Sequence, residues 1–134
     1  MSSGNVADPV GNTELLARFV LFENRVRADG TVKPEAFMPP TSLELSVTRH
    51  KEAATAQLWE RGEVVAAASN RNLVGRADIA AGAVRAVRPL DVIAAPLESD
   101  SNHAHVIGWP PMTTKPAQKA LAQSLAAAAT FVRR

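Results

Sequence analysis

The stretch that decides the fold is Ser42–Arg49, which reads SLELSVTR. Leu43, Leu45 and Val47 alternate with polar residues, and a period of two is typical of a β-strand with one buried face. A helix is predicted to follow at about 50–69, because its apolar residues recur at intervals of three and four. The stretch therefore predicts a strand of a sheet that is packed by helices.

Segments on both sides extend this pattern. Upstream, Leu15–Arg27 is apolar on both faces, which favours a central strand. Downstream, 73–79 (LVGRADI) is predicted to be a strand that leads into a short helix, with Asp78 as the expected N-cap. Asp91–Ala95 and His103–Trp109 flank a loop of turn-forming residues and predict a hairpin.

A second long helix is predicted at about 115–131, with proline in its first turn. The chain is thus expected to have an α+β fold, in which a mostly antiparallel sheet of four or five strands is packed by two main helices, about 50–69 and 115–131. Residues 1–12 are small and polar, and we expect a disordered lead-in there. Residues 13–134 are expected to form a single domain.

Composition excludes several classes of protein. The 134 residues contain no cysteine, so disulfide scaffolds, cysteine zinc sites and thiol catalysis are excluded. There is no glycine-rich phosphate loop and no GxSxG motif. The N-terminus does not resemble a signal peptide, and no apolar run is long enough for a membrane helix, so we expect a cytoplasmic protein. The 25 alanines and the preference for arginine over lysine are typical of bacterial proteins.

The charge is distributed unevenly along the chain. Residues 1–67 carry a net charge of −2 and residues 68–134 a net charge of +4. A protein that binds nucleic acid needs a concentrated basic face, since each neutralised phosphate needs its own cation. This leaves nucleic-acid binding as one alternative, through the basic residues of the second half: Arg71, Arg76, Arg85, Arg88, Lys115 and Lys119.

A pair of histidines offers a second alternative. His103 and His105 lie two residues apart on a predicted strand, so both imidazoles project from the same face. With His50 they are the candidate catalytic residues of a small hydrolase or nuclease, as a general acid and base. With Asp100 they are the candidate ligands of a divalent metal, the cofactor that this alternative would require.

Three further residues are candidates for binding. Arg49 lies at the predicted start of a helix, where an anion is stabilised, and Arg76 either pairs with Asp78 or faces a pocket. Trp109 precedes two prolines and resembles an exposed aromatic platform. The lack of a catalytic motif favours a non-catalytic interaction or regulatory module that binds a partner protein. We expect its docking surface to be an exposed apolar patch around Met38, Pro39 and Trp109.

Overall fold

The computed structural model describes residues 8–134, which form one six-stranded sheet and three α-helices. All neighbouring strands are antiparallel, in the order β4-β5-β2-β1-β3-β6. This confirms the α+β class, the antiparallel sheet and the predicted hairpin. The elements are β1 (Leu15–Val20), β2 (Leu45–Arg49), α1 (Thr55–Ala68), β3 (Gly75–Ala80), α2 (Ala81–Ala86), β4 (Asp91–Ala94), β5 (His103–Ile107), α3 (Lys115–Ala128) and β6 (Thr130–Arg133).

The two faces of the sheet carry different layers. Leu16 and Val20 of β1 point to the first face and join the main core with Leu125 of α3 and Phe37, which lies in a 3₁₀ turn at Pro34–Phe37. Phe19 points to the second face, where it meets Gly62 of α1. Helix α3 therefore packs on one side of the sheet and α1 on the other.

Helix α1 lies over only part of the second face. Trp59 of α1 packs over Arg76 of β3, at 4.6 Å from the ring centre, and Glu63 of α1 pairs with Arg134 just after β6. On the other half of this face, Ser46 of β2 and Ile93 of β4 are exposed. The flank of α1 and the β2, β5 and β4 half of the face thus border the same open region.

The sixth strand is not predicted by the sequence. The helix expected at 115–131 ends at Ala128, and after one residue the chain enters β6, which pairs with β3. The alanine run gives no sign of this change, because alanine favours a helix and the strand that follows it is only four residues long. Long-range pairing with β3 decides the conformation here.

Three other boundaries differ from the prediction. β1 ends at Val20 because residues Glu23–Arg25 turn into a 3₁₀ helix. β2 starts at Leu45 because Leu43 has a left-handed φ of 61°, which interrupts an extended chain. α1 starts at Thr55 rather than near residue 50, because Lys51 is left-handed as well, with a φ of 48°.

The predicted N-cap is also wrong. Asp78 lies inside β3, and Ala80 is the residue that precedes α2. The Asp78 carboxylate is not free to cap a helix, because it accepts hydrogen bonds from the Nε of Arg76 at 3.1 Å and lies 3.0 Å from the Nε2 of His50. Tertiary partners thus hold the side chain that local spacing assigned to the helix end.

The described part of the expected lead-in is held against the fold. Val10 is buried, and Arg49 donates to the backbone carbonyls of Asp8 and Pro9 at 2.8 and 3.2 Å. The part of the prediction that concerns residues 1–7 lies outside the described residues. Between residues 8 and 134, no helix is both long and apolar enough to cross a membrane.

Candidate functional site

A gap between two strands of the sheet is spanned by the side chain of an arginine. β1 pairs with β3 over six residues but with β2 over only two, Leu16 with Arg49 and Ala17 with Thr48. The side chain of Arg18 spans the gap beyond this pairing. Its Nε donates to the carbonyl of Ala36 at 2.9 Å and its Nη1 to that of Ser46 at 3.0 Å.

Arg18 carries a charge that no carboxylate balances. Burial, and secondly the positive charge of Arg25, lower its pKa to about 10, so the guanidinium is still protonated at neutral pH. Within residues 8–134 it forms no ion pair with an acidic side chain. The side chain is half-buried, and a partly desolvated cation without a counter-ion favours the approach of an anion.

Arg18 lines a cleft of about 340 Å³ between α1, the end of β1, β2 and the β4–β5 loop. We call it the arginine cleft. Its charged residues are Arg18, Arg25, Arg61 and Asp100. Its apolar wall is made of Phe22, Val64, Val65 and Leu97, of which the last three are among the exposed large apolar residues of the described chain.

Positive charge exceeds negative charge in this cleft. Asp100 is buried, with one oxygen bonded to the hydroxyl of Thr48 at 2.8 Å and the other 3.5 Å from the Nε of Arg61. Arg25 stacks on the ring of Phe22 at 4.2 Å and forms no ion pair with a described residue. Three arginines and one carboxylate therefore line the cleft, and that carboxylate is already bonded within the protein.

A second, more open depression of about 910 Å³ continues from the cleft along α1. The two share Thr48, Arg61, Val64 and Asp100. The wall of the depression is mostly polar and carries more acidic than basic side chains, with Asp8, Lys51, Glu52, Gln57, Glu60, Ser101 and Asn102. Together they form a continuous groove beside the helix.

The two predicted histidines do come together. The rings of His103 and His105 are 4.8 Å apart and nearly perpendicular. His103 lines the arginine cleft, and its Nδ1 donates to the carbonyl of Ala95 at 2.9 Å, which leaves Nε2 as the free acceptor of the neutral ring. Burial lowers the pKa of His105, the neighbouring His103 lowers it further, and Glu44 at 3.8 Å opposes both.

The rest of the predicted catalytic and metal-binding set is dispersed. His50 does not join the pair, because it lies on Asp78. Asp100 is engaged with Thr48 and Arg61, as described above. Across residues 8–134, no three His, Asp or Glu side chains are arranged to hold a metal ion. The structure therefore brings together only two of the three proposed ligands.

The three predicted binding residues are buried. Arg49 forms a two-point ion pair with Glu14, with both contacts at 2.8 Å. Arg76 is enclosed between Asp78 and Trp59, which corresponds to the ion-pair alternative. These two arginines hold the fold together, because each is closed in by its own tertiary partners.

Trp109 is not an exposed platform, contrary to the prediction. It is 6% exposed, and its Nε1 donates to the carbonyl of Val106 at 3.0 Å. Gly108 has a left-handed φ of 95°, and this turn folds the indole back onto the core. Pro39 is buried and Met38 half-buried, so the expected patch around these residues is absent from the surface.

The basic residues of the second half do not form one face. Arg76 is buried, Arg85 pairs with Asp91, and Lys119 on α3 pairs with Glu35. Arg71 follows α1, on the opposite side of the sheet from α3, and lies over the ring of Phe22. The sheet separates members of this set, so they do not form the concentrated basic face that phosphate binding needs.

Sequence reasoning missed the residues that line the arginine cleft. A signal was present, since Arg18 interrupts an apolar strand and Val64 lies beside the apolar stripe of its helix. The helical periodicity assigns Val65 to that stripe, but Val65 is 39% exposed. Comparison of the chain with protein-family models, with curated proteins and with solved structures gives no match. The proposals below therefore depend on the geometry alone.

Proposed function

We propose that this protein is a non-catalytic interaction module that binds an acidic segment of a partner protein in the arginine cleft. The observation that carries the proposal is the excess of guanidinium groups beside exposed apolar side chains. Arginine suits this role because its planar group binds carboxylates and phosphates in a fixed geometry and stacks on other surfaces. An acidic and apolar segment complements both parts of the wall.

The shape of the groove favours a polypeptide as the occupant. The arginine cleft alone is about 340 Å³, the lower end of the range for small-molecule pockets. It opens into the polar depression, which extends the groove along α1. An extended segment would place an acidic group and an apolar side chain in the cleft, while its backbone lies on the polar wall.

The exposed apolar residues add a driving force. Val64 is 54% exposed, Val65 39% and Leu97 49%, and all three line the same cleft. Covering apolar surface contributes about 25 cal/mol per Å². Ile93 is 42% exposed but does not line the cleft, so it provides a matched control for the same chemistry elsewhere.

The test uses two pools of nonapeptides with leucine at two fixed positions. One pool carries aspartate or glutamate between the leucines, and the other carries the matching amides. Backbone amide shifts in nuclear magnetic resonance spectra are expected to move around Arg18, Arg61 and Leu97 with the acidic pool only. Equal shifts with both pools, or shifts confined to another surface, would overturn the proposal.

Variants locate the site. Arg25→Glu is expected to weaken binding of the acidic pool at least tenfold, because it removes a charge-assisted contact and places a carboxylate beside the acidic ligand. Arg88→Glu is the control, because Arg88 is exposed and forms no ion pair within residues 8–134. Leu97→Ser is likewise expected to weaken binding, and Ile93→Ser is expected to leave it unchanged. If control and test variants behave alike, the site is elsewhere.

A small hydrolase remains a second candidate, which the close approach of His103 and His105 favours. In that case the free Nε2 of His103 would act as the base. The measurement is cleavage of an activated phosphodiester, bis(p-nitrophenyl) phosphate, with and without added divalent metal. Activity that is lost in His103→Gln would support this candidate, and no activity above background would exclude it for this substrate.

A further inference from the structure

We infer that the acidic group bound in the arginine cleft is a phosphate monoester, carried by a phosphorylated serine or threonine of the partner segment. The inference rests on the proposed function and makes its ligand more specific. It is based on three observations about the arginines that line the cleft: their number, the different elements that carry them, and their free hydrogen-bond donors.

The formal charge of the cleft matches a dianion. Arg18, Arg25 and Arg61 contribute three positive charges, and Asp100 contributes one negative charge. A carboxylate would leave one of the two excess charges without a partner. A phosphate monoester carries about −1.5 to −2 charges at pH 7, since its second pKa is about 6. The dianion therefore balances the cleft, whereas a single carboxylate does not.

The donors come from three different elements. Arg18 belongs to β1, Arg25 to the 3₁₀ turn at Glu23–Arg25, and Arg61 to α1. A tetrahedral phosphate has three acceptor oxygens that point in different directions, while a carboxylate has two in one plane. Donors that approach from several walls therefore suit the phosphate better.

Two of the guanidinium groups keep donors for a ligand. Arg18 uses Nε and Nη1 for the carbonyls of Ala36 and Ser46, and its Nη2 has no hydrogen bond to a described residue. Arg25 lies over Phe22, with its Cζ 4.2 Å from the ring centre, and its side chain donates to no described acceptor. The N–H donors of Arg25 therefore remain available for an anion.

Apolar residues beside the arginines select the neighbour of the phosphorylated residue. Leu97 and Val64 lie in the same cleft and are about half exposed. A leucine or valine next to the phosphorylated residue would cover them. The inferred ligand is thus a phosphorylated residue beside an aliphatic one, in an extended segment.

The experiment compares four peptide pools that differ at one central position, with leucine fixed next to it. The central residue is serine, glutamate, phosphoserine or phosphothreonine, and dissociation constants are measured by fluorescence anisotropy at pH 7.5. We expect the phosphorylated pools to bind at least tenfold more tightly than the glutamate pool, because a second charge is paired. Arg25→Gln is expected to remove this preference, and Arg88→Gln to preserve it.

The outcomes separate the inference from the proposed function. If the glutamate pool binds as tightly as the phosphorylated pools, the phosphate inference is overturned while the proposed function stands. If no pool binds, both are overturned. If inorganic phosphate competes as well as the phosphorylated peptide, the cleft is a site for a free anion, and the partner segment is overturned.

A pH series gives an independent check. Protonation of the phosphate at its second pKa of about 6 removes one negative charge, so binding should weaken several-fold between pH 7.5 and 5.5. His103 lines the cleft, Glu44 faces His105, and Asp100 faces Arg61, so these groups must be considered as well. The glutamate pool meets the same groups of the protein, so the phosphorylated pools are expected to lose more affinity than the glutamate pool between pH 7.5 and 5.5. An equal change in both pools would contradict the phosphate dianion.

Discussion

The substitution Gly62→Ala tests how closely α1 packs against the sheet. The Cβ of an alanine at this position would lie 2.8 Å from Cδ2 of Leu73, 2.8 Å from Cδ1 of Phe19 and 2.9 Å from Cε1 of the same ring. Carbon atoms pack best at about 3.5–4.0 Å, so the neighbours must retreat by roughly 0.7 Å. The end of Leu73 can rotate, but the ring of Phe19 is held in the sheet.

Two effects of Gly62→Ala oppose each other. Alanine is favoured over glycine inside a helix by about 1 kcal/mol, which would stabilise the fold. Overfilling a packed contact costs about 1–3 kcal/mol. We expect the second effect to dominate and the free energy of unfolding to fall by about 1 kcal/mol. For a chain of this length that corresponds to a drop of about 3–4 °C in Tm.

Urea denaturation followed by circular dichroism measures this change. Glu60→Gly serves as the control, because Glu60 is an exposed residue of the same helix and reports the helix propensity alone. Adding Leu73→Ala to Gly62→Ala is expected to recover part of the packing cost, which a double-mutant cycle detects. A Gly62→Ala variant that is more stable than the natural chain would refute the close contact between α1 and Phe19.

Three further predictions concern charge. Arg49→Leu is expected to lower the free energy of unfolding by about 2–3 kcal/mol in urea denaturation, since it removes both contacts to Glu14. Arg49 holds the pKa of Glu14 below its usual 4.5, so this stabilisation is present above pH 4.5 and is lost as the pH falls through the lowered pKa. A cost of Arg49→Leu that never decreases as the pH falls below 4.5 would argue against it. His103→Gln should raise the pKa of His105 in an imidazole titration, because His103 lowers that pKa in the natural chain. The variant should then lose less stability as the pH falls from about 6.5 through the lowered pKa of His105 in the folded protein. An unchanged pKa of His105 would exclude this coupling. Arg85→Ala should strengthen self-association about tenfold in sedimentation velocity, because Arg85 donates to the Val92 carbonyl of edge strand β4 and so covers it. If the variant associates no more than the natural chain, Arg85 does not protect this edge.

The elements of the fold are encoded locally to a large extent. The alternation in Ser42–Arg49 indicates β2, and the recurrence of apolar residues in the segments that follow indicates α1 and α3. The turn-rich loop indicates the β4–β5 hairpin. These signals are local because alternation and helical periodicity depend on residues two to four positions apart.

The candidate site is predicted only in part. The spacing of His103 and His105 places both rings on one face, and the structure has them there. Their surroundings come from distant segments: Ala95 on one side and Glu44 on the other. Spacing of two residues fixes the side of a strand, but it carries no information on which other elements face that side.

The sequence by itself indicates most of the strands and the two long helices, but not β6, and it indicates the buried side of β2. Only the tertiary structure decides that Trp109 is buried, that Asp78 meets His50, and that Arg18 fills a gap between strands. The physical reason is that these contacts join residues far apart in the chain, whose proximity depends on how all the layers pack. The arginine cleft is of this kind, since its walls come from β1, β2, α1 and the β4–β5 loop.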